Sequence, residues 1–401
     1  MQVNQQRYRS RYIHPRAKLL ARIELAAKSP GRLLSLVMKL AVFLPNWVGD
    51  VTMATPTLQA IRSHFGSRVT ILGVMRPYVA DVLSGTKWID QNFFYDPRAQ
   101  DPQLSSHNLV RNLRAEKPDS ILLLTNSLRT GVLAWLCGAS QRIGYAQYGR
   151  GPLLTDKLKF KKQGGRFVPA STMLGYLKLT QFLGCPQQTR WPLHLETSTE
   201  DELAADRVWE RLNLPPGEEV IVFHNAGGWG GRASSKSWPI DHAAQLARKI
   251  AIHDGLTVLF ICGPQERAMA AKTVLAAAHP RVKSLADQSL SIGLSKACIR
   301  RSRLMVSSDS GPRHFAAAFD VPLVTLFGPT HTAWGDTNYA QMISLQEEVP
   351  CGPCMQKTCP FGHHQCMKEL TVERVYSAVN HLLYHGTKTQ VNQTIPIEIS
   401  A

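Results

Sequence analysis

The chain has 401 residues, 44% hydrophobic and 19% charged, which excludes wholesale disorder and exceeds what one hydrophobic core usually organises, so two domains are predicted. Lys and Arg number 46 against 29 Asp and Glu, and the resulting +17 suits polyanionic partners such as phosphorylated sugars, anionic membrane surface or nucleic acid. Eight cysteines are too sparse for a disulfide scaffold and fit a reducing compartment.

Residues 1–37 carry Arg7, Arg9, Arg11, Arg16, Lys18, Arg22, Lys28 and Arg32 against a single acid, Glu24, and read as a basic extension. The apolar run at 33–45 is about thirteen residues long, far short of the roughly twenty needed to cross a bilayer, and no small-residue cleavage site follows it. Neither a transmembrane helix nor a secretory signal is predicted. From Lys39 short aliphatic runs alternate with longer amphipathic stretches: a strand at 40–44, a helix at 57–65, then strands at 69–73 and 120–125. Turn-rich GCPQQTRWP at 184–192 reads as a linker. The rhythm restarts with strands at 220–223, 257–262, 303–308 and 322–328, followed by a helix at 372–383 that suits packing on either domain, and a tail at 386–401. Near-continuous apolar strands of this kind belong to parallel sheets covered on both faces, so the predicted class is α/β with two Rossmann-like domains, 38–190 and 191–385.

Three loops follow strands at the carboxyl edge of such sheets, where ligands bind. The first, PNWVGDVTMATP at 45–56, offers Gly49 for close backbone approach and Asp50 as a carboxylate at a helix start. Asp50 is either a functional acid or an N-cap, and Thr55 with Pro56 offers a second helix start. The second, FHNAGGWGGRASSKSWP at 223–239, combines Gly227, Gly228, Gly230 and Gly231 with Arg232 and Lys236, and either cradles a pyrophosphate or is a pliable loop with solvated cations. It is neither a P-loop nor a dinucleotide fingerprint, which sets a nicotinamide-dependent dehydrogenase aside. The third, SSDSGPRHFAAAFDVPLVTLFGPT at 307–330, reads as strand end, tight turn and helix. Its backbone N–H groups, helped by Arg313 or His314, form an anion site without a metal, while Asp309 suits ribose, a sugar hydroxyl or loop N–H groups, or closes an Asx-turn. His314 equally suits a packed helix position.

Cys351, Cys354, Cys359 and Cys366 lie within sixteen residues, with His363 and His364 among them. CGPC opens like a thioredoxin motif but lies near the C-terminal end rather than after an early strand, which argues against dithiol redox chemistry. The spacing departs from paired zinc knuckles, so a packed, reduced cysteine loop is predicted, with structural zinc as the alternative. No helix-turn-helix, zinc finger or aromatic-basic strand motif supports a nucleic-acid partner.

MKLAVFLPNWVGDVTMATPTLQAIR, LLLTNSLRTGVLAWLCGASQRIGY, SKSWP, SSDSGPRHFAAAF with FGPT, and the CGPC-to-HHQCM segment occur in order from Met38 to about Leu383. Together they resemble the ADP-heptose:lipopolysaccharide heptosyltransferase family, and within it heptosyltransferase II more than I. The resemblance implies a GT-B glycosyltransferase architecture, two Rossmann-like domains facing a cleft, with the acceptor bound by 38–190, the nucleotide sugar by 191–385, and the terminal helix returning to the first domain. It implies inverting transfer of L-glycero-D-manno-heptose from ADP-heptose, with no cofactor or metal, to lipid A-Kdo or heptosylated lipid A-Kdo. The enzyme would be cytoplasmic and peripheral to the inner membrane, where a basic arm meets an acidic leaflet. It further implies Asp50 as general base, Lys236 as donor-phosphate lysine, Glu266 on the ribose hydroxyls, and Asp309, Ser310, Gly311 and His314 as the donor loop. Asn126, Ser127 and Arg129 fall in the acceptor-side segment; the long loop before SKSWP departs from the family pattern and makes Asn225 and Ser235 weaker donor contacts. Met38 resembles the family's initiator, which makes 1–37 an extension or a misassigned start. Two other readings stay open: a catalytically silent sugar-nucleotide or glycolipid binder of the same fold, and a transferase using another nucleotide sugar.

Overall fold

A computed structural model describes residues 37–187, 191–225 and 235–386. The basic arm, the glycine and arginine stretch of the second loop (226–234), residues 188–190 of the linker, and the tail beyond Gly386 lie outside the described residues.

The fold is the predicted α/β class, built on two six-stranded sheets of identical order. The first contains β1 (Met38–Phe43), β2 (Val69–Met75), β3 (Gln91–Phe94), β4 (Ser120–Leu123), β5 (Gln141–Tyr145) and β6 (Asp156–Leu158), in the order β3-β2-β1-β4-β5-β6. A short antiparallel pair follows, β7 (Lys162–Gln163) and β8 (Arg166–Phe167). The second sheet contains β9 (Val220–His224), β10 (Thr257–Phe260), β11 (Val282–Ser284), β12 (Leu304–Ser308), β13 (Leu323–Phe327) and β14 (Met342–Gln346), in the order β11-β10-β9-β12-β13-β14. Its pairs are all parallel, with Ile221 opposite Leu304 and His224 opposite Ser307.

The aliphatic runs expected as strands form the centre of each sheet. The polar strands, β3, β5, β6, β11 and β14, were not signalled, because sequences such as QRIGY and MISLQ lack a continuous apolar run. In each sheet the order reverses direction between its first and fourth strands, the topological switch point where loops diverge and leave a crevice. The loops after β1 and β4 border that point in the first sheet, and those after β9 and β12 border it in the second.

The chain clusters into two compact units that do not follow the sequence linearly. Among the described residues, one comprises those through Phe43, Ile61–Val74 and Ile89–Lys159; the other comprises Leu44–Ala60, Met75–Trp88 and those from Phe160 on. The first is built around Phe43, Leu72, Ile121, Leu123 and Leu133, with the helices Ser106–Glu116 and Leu128–Leu136 contributing Leu109, Leu113, Ala134 and Cys137 to the same core. In the second, Phe223 stacks on Phe260 with ring centroids 4.9 Å apart, and the buried Trp238 indole donates to the Leu370 carbonyl at 2.9 Å. Of the two placements open to the C-terminal helix, Val372–Tyr384 packs on the helix Ile240–His253 and against β12 and β13, within the second unit.

Candidate active site

The loop after β1 turns at once into the short helix Val48–Met53. Trp47 occupies the cap position and provides no capping side chain, so Asp50, the third residue of the helix, is not the N-cap that its sequence position allowed. A second helix, Thr55–Phe65, follows after Ala54. Gly49 is where the β1 loop meets the third loop: a Cβ there would lie 3.0 Å from Gly311 Cα and 3.0 Å from His314 Cδ2. Reciprocally, a Cβ on Gly311 would lie 3.0 Å from the Gly49 nitrogen. Two glycines thus let two backbones touch, and Asp50 is held beside the loop after β12. Gly311→Ala is expected to cost about 1–3 kcal/mol by overpacking. Chemical denaturation checks this, with Gly151→Ala as control, because its new Cβ meets only Ala146 at an ordinary 3.5 Å.

Asp309, at the end of β12, is the electrostatic hub. Its Oδ2 accepts from Lys236 Nζ at 2.8 Å and Thr330 Oγ1 at 2.7 Å, and its Oδ1 accepts from Arg313 Nε at 3.2 Å. Burial opposes ionisation, but the charges of Arg313 and Lys236 and the hydrogen bonds from Lys236 and Thr330 outweigh it and hold the carboxyl well below the usual range. Of the partners the sequence left open to Asp309, loop N–H groups are not the ones that occupy this carboxylate; side-chain cations and a hydroxyl are. Arg313, offered by the sequence as an anion ligand, is fully buried, donates to Asp309 and to the Gly335 carbonyl at 2.8 Å, and lies over the Phe327 ring. It acts as an internal counter-ion.

Burial raises the Asp50 carboxyl to about 6; Lys236 pulls it back and Asp309 adds to the rise. His314, buried and next to Arg313, is held well below its ordinary value and is neutral, and its Nδ1 has no hydrogen-bond partner among the described residues. One carboxyl poised near neutrality, one locked as an anion, one shared ammonium and one neutral imidazole converge within the second unit. Such a set suits proton abstraction beside a developing negative charge.

A second network lies at the end of β9. His224, buried, bonds through Nδ1 to Ser310 Oγ at 2.8 Å, and its Nε2 faces Glu266 Oε2 at 3.4 Å. Glu266 also accepts the Gly263 N–H at 2.7 Å; burial pushes its carboxyl up, but the hydrogen bond and charge of His224 and the Gly263 N–H prevail and hold it low. The sequence reading named Glu266 and Ser310 but missed the histidine that joins them. Its signal was a polar residue ending an apolar strand at the ligand-binding edge. Asn225 forms a closed pair with the Trp238 backbone, at 2.9 Å in both directions, and Ser235 Oγ donates to the Gln356 and Lys357 carbonyls at 2.6 and 3.0 Å. Both side chains brace the frame on either side of 226–234.

In the first unit Ser127 caps the helix Leu128–Leu136, accepting the Thr130 N–H at 3.2 Å, and Arg129 is exposed. Asn126 Oδ1 accepts from Arg150 Nη2 at 3.0 Å. Arg150, which the sequence reading also missed, is fully buried with no carboxylate partner among the described residues; it donates to the carbonyls of Tyr145 and Thr125. Burial pushes it down to about 10, so it stays charged at neutral pH. Gly131 and Gly144 make room for it: a Cβ on either would lie 3.0–3.1 Å from its side chain. The Arg150 bond engages the Asn126 amide through its oxygen, which leaves the NH2 as the group that can donate elsewhere.

All eight cysteines are free thiols. Cys359 accepts backbone N–H groups from the 361–364 turn, the largest effect coming from His364, and its thiol is lowered; Cys366, buried near Cys354, Cys351 and Cys359, is pushed up to about 11. Cys351 Sγ lies 3.8 Å from His363 Nε2. Among the described residues no three or more His, Cys, Asp or Glu side chains are arranged to hold a metal ion.

Residues 106–365 match the profile of glycosyltransferase family 9 (heptosyltransferase). The chain is 26% identical over 371 residues to lipooligosaccharide heptosyltransferase 2 of Campylobacter jejuni, covering 86% of this chain and 98% of the relative. It is 25% identical over 362 residues to lipopolysaccharide heptosyltransferase 2 of Escherichia coli, covering 86% and 99%. Among solved structures, the E. coli ADP-heptose lipopolysaccharide heptosyltransferase II superposes with a TM-score of 0.69 at 21% identity, covering 86% of this chain and 98% of that one. The two-sheet fold is thus the GT-B architecture of these enzymes.

Proposed function

From the premise that the chain belongs to glycosyltransferase family 9, the heptosyltransferases, and is therefore a glycosyltransferase, we propose that it transfers L-glycero-D-manno-heptose from ADP-heptose, with inversion, to the acidic inner core of lipopolysaccharide. The observation that carries this reading is the placement of Asp50, its carboxyl near 6, in the same unit as the Lys236–Asp309 pair. A hydroxyl of the acceptor attacks the anomeric carbon from the face opposite ADP. Asp50 takes the hydroxyl proton, the bond from the anomeric carbon to the diphosphate oxygen breaks, and ADP leaves with the electron pair. Proton transfer of this kind contributes about a hundred- to ten-thousandfold. Lys236 stabilises the charge growing on the diphosphate, a preorganised contact in a site of low dielectric.

Glu266, held as a carboxylate by His224 and Gly263, is suited to accept from ribose hydroxyls, while Gly311, Ser310 and His314 line the donor loop. Asn126 presents its NH2 to acceptor oxygens, and Ser127 and Arg129 flank it. Residues 38–190 would hold the acceptor and 191–385 the donor, apart from Asp50 and its loop. Among the described residues no helix is long and apolar enough to cross a membrane, and we assign the chain to the cytoplasmic face of the inner membrane as a peripheral enzyme.

The test is transfer itself. The full chain is mixed with ADP-heptose and, separately, with acceptors ending in Kdo or in one heptose. A mass gain of one heptose on the heptose-ended acceptor, with the new anomeric configuration opposite to the donor's, is expected. Binding of ADP-heptose without turnover would replace this reading with a silent binder of the same fold.

A further inference from the structure

The helix Leu128–Leu136, LRTGVLAWL, is apolar but for Arg129, its one charged residue, and the buried Thr130. Helices of that kind are normally buried all round. One side does pack into the first unit through Leu133, Ala134 and Cys137. The other carries Leu128, Val132, Trp135 and Leu136 at 48%, 37%, 55% and 39% exposure, and the spacings i, i+4, i+7 and i+8 place them in one stripe. Single exposed apolar side chains are ordinary; four in one stripe of nine residues are not.

We infer that this stripe, Leu128, Val132, Trp135 and Leu136, is a docking surface for an anionic lipid bilayer. Three observations select lipid over a protein partner. Arg129 lies in the stripe, and the neighbouring helix Ser106–Glu116 exposes Arg111 and Arg114, with Lys117 at its end, while its Glu116 is paired with Lys39 at 2.7 Å. A second copy of so basic a region would be repelled, whereas acidic headgroups are attracted. Trp135, the most exposed of the four, combines an apolar ring with an indole N–H, the side chain that settles at a bilayer interface. The same helix begins at Asn126–Ser127, the acceptor-side segment, so a surface that enters the headgroup layer brings that segment to a substrate anchored there. In this last respect the inference rests on the proposed glycolipid acceptor.

The full-length chain and its Val132→Ser/Trp135→Ser variant are compared by co-sedimentation with vesicles of phosphatidylglycerol and phosphatidylcholine. Both substituted side chains are exposed, and circular dichroism checks that the variant is folded. Partition is expected to fall at least about tenfold, from the loss of buried apolar surface. In about 0.5 M salt, where the Debye length is only about 4 Å, the parent is expected to keep a residual binding that the variant lacks. Transfer to a delipidated, water-soluble acceptor is expected to stay within twofold. Vesicle binding within twofold of the parent overturns the inference. So does a parent dimer that the variant dissociates, or residues 1–36 becoming protease-sensitive only in the variant, because a second copy or the arm would then cover the stripe. A parent that docks through the stripe but transfers no heptose removes the proposed reaction and leaves the lipid surface standing.

Discussion

Asp50→Asn is expected to fold at least as firmly as the parent at neutral pH, to bind ADP-sugar within a few-fold, and to transfer at least about a hundredfold more slowly. The rate loss follows because an amide cannot take the acceptor's proton. The stability expectation follows from the environment of the carboxyl. Its folded value of about 6 lies above the ordinary 3.8, so ionised Asp50 destabilises the fold wherever the pH exceeds both values. The asparagine variant escapes that penalty, and a gain of about 1–3 kcal/mol is expected above pH 6, fading as the pH falls from 6 and vanishing below 3.8, where the parent is protonated in both states. In the parent, kcat/KM is expected to fall with unit slope as the pH drops through about 6; the variant's residual rate should lack that limb. Denaturation midpoints at pH 4 and pH 8, with a pH–rate profile, check all three. Near-parental transfer by the asparagine variant would place the base elsewhere, and a loss of stability at pH 8 would make Asp50 a structural acid.

Lys236→Ala is expected to lose about 2.7–4 kcal/mol of transition-state stabilisation, roughly a hundred- to thousandfold in rate, together with donor affinity. Asp309 should remain ionised, since Arg313 and Thr330 still bind it. Asp50 should not be unaffected, because Lys236 is the charge that restrains its rise. The acid limb of the residual activity is therefore expected to move to higher pH. A stability variant acting only through folding would lower the rate and leave the limb in place, so the profile separates the two. A parent enzyme inhibited by a chelator and restored by magnesium would transfer the leaving-group role from Lys236 to a metal.

Much of this arrangement was legible because doubly wound sheets put loops at one edge, and three of those loops carry unusual residue runs. Gly49 beside Asp50 read as a close-approach position, and it is where the first loop meets the third, at Gly311. Partnerships inside the loops were not legible. Asn225, Ser235 and Arg313 have the chemistry of ligand contacts, but each is claimed by another part of the protein: Asn225 by the Trp238 backbone, Ser235 by the Gln356 carbonyl 121 residues away, and Arg313 by Asp309 one helical turn back. Arg150 was invisible for the opposite reason. In QYGRGP it reads as a solvated turn cation, and only the approach of Gly131 and Gly144 from separate elements turns it into a buried one. The polar strands failed for want of a hydrophobic run, since what stabilises them is the neighbour they pair with rather than their own sequence.

The interleaving of the two units changes what can be dissected. A cut near residue 190 follows the chain but not the packing, for it would carry Leu44–Ala60 and Met75–Trp88 away from the unit with which they cluster. Asp50 is joined to β1 by a few peptide bonds, yet it clusters with Lys236 and Asp309 in the second unit. Two fragments expressed apart would each have an open wound, one lacking its own sheet's outgoing loops as partners and the other lacking its acid. By the same token, Asp50 and its counter-charges form one prefabricated part, so its carboxyl is already raised in the resting protein, before any ligand arrives.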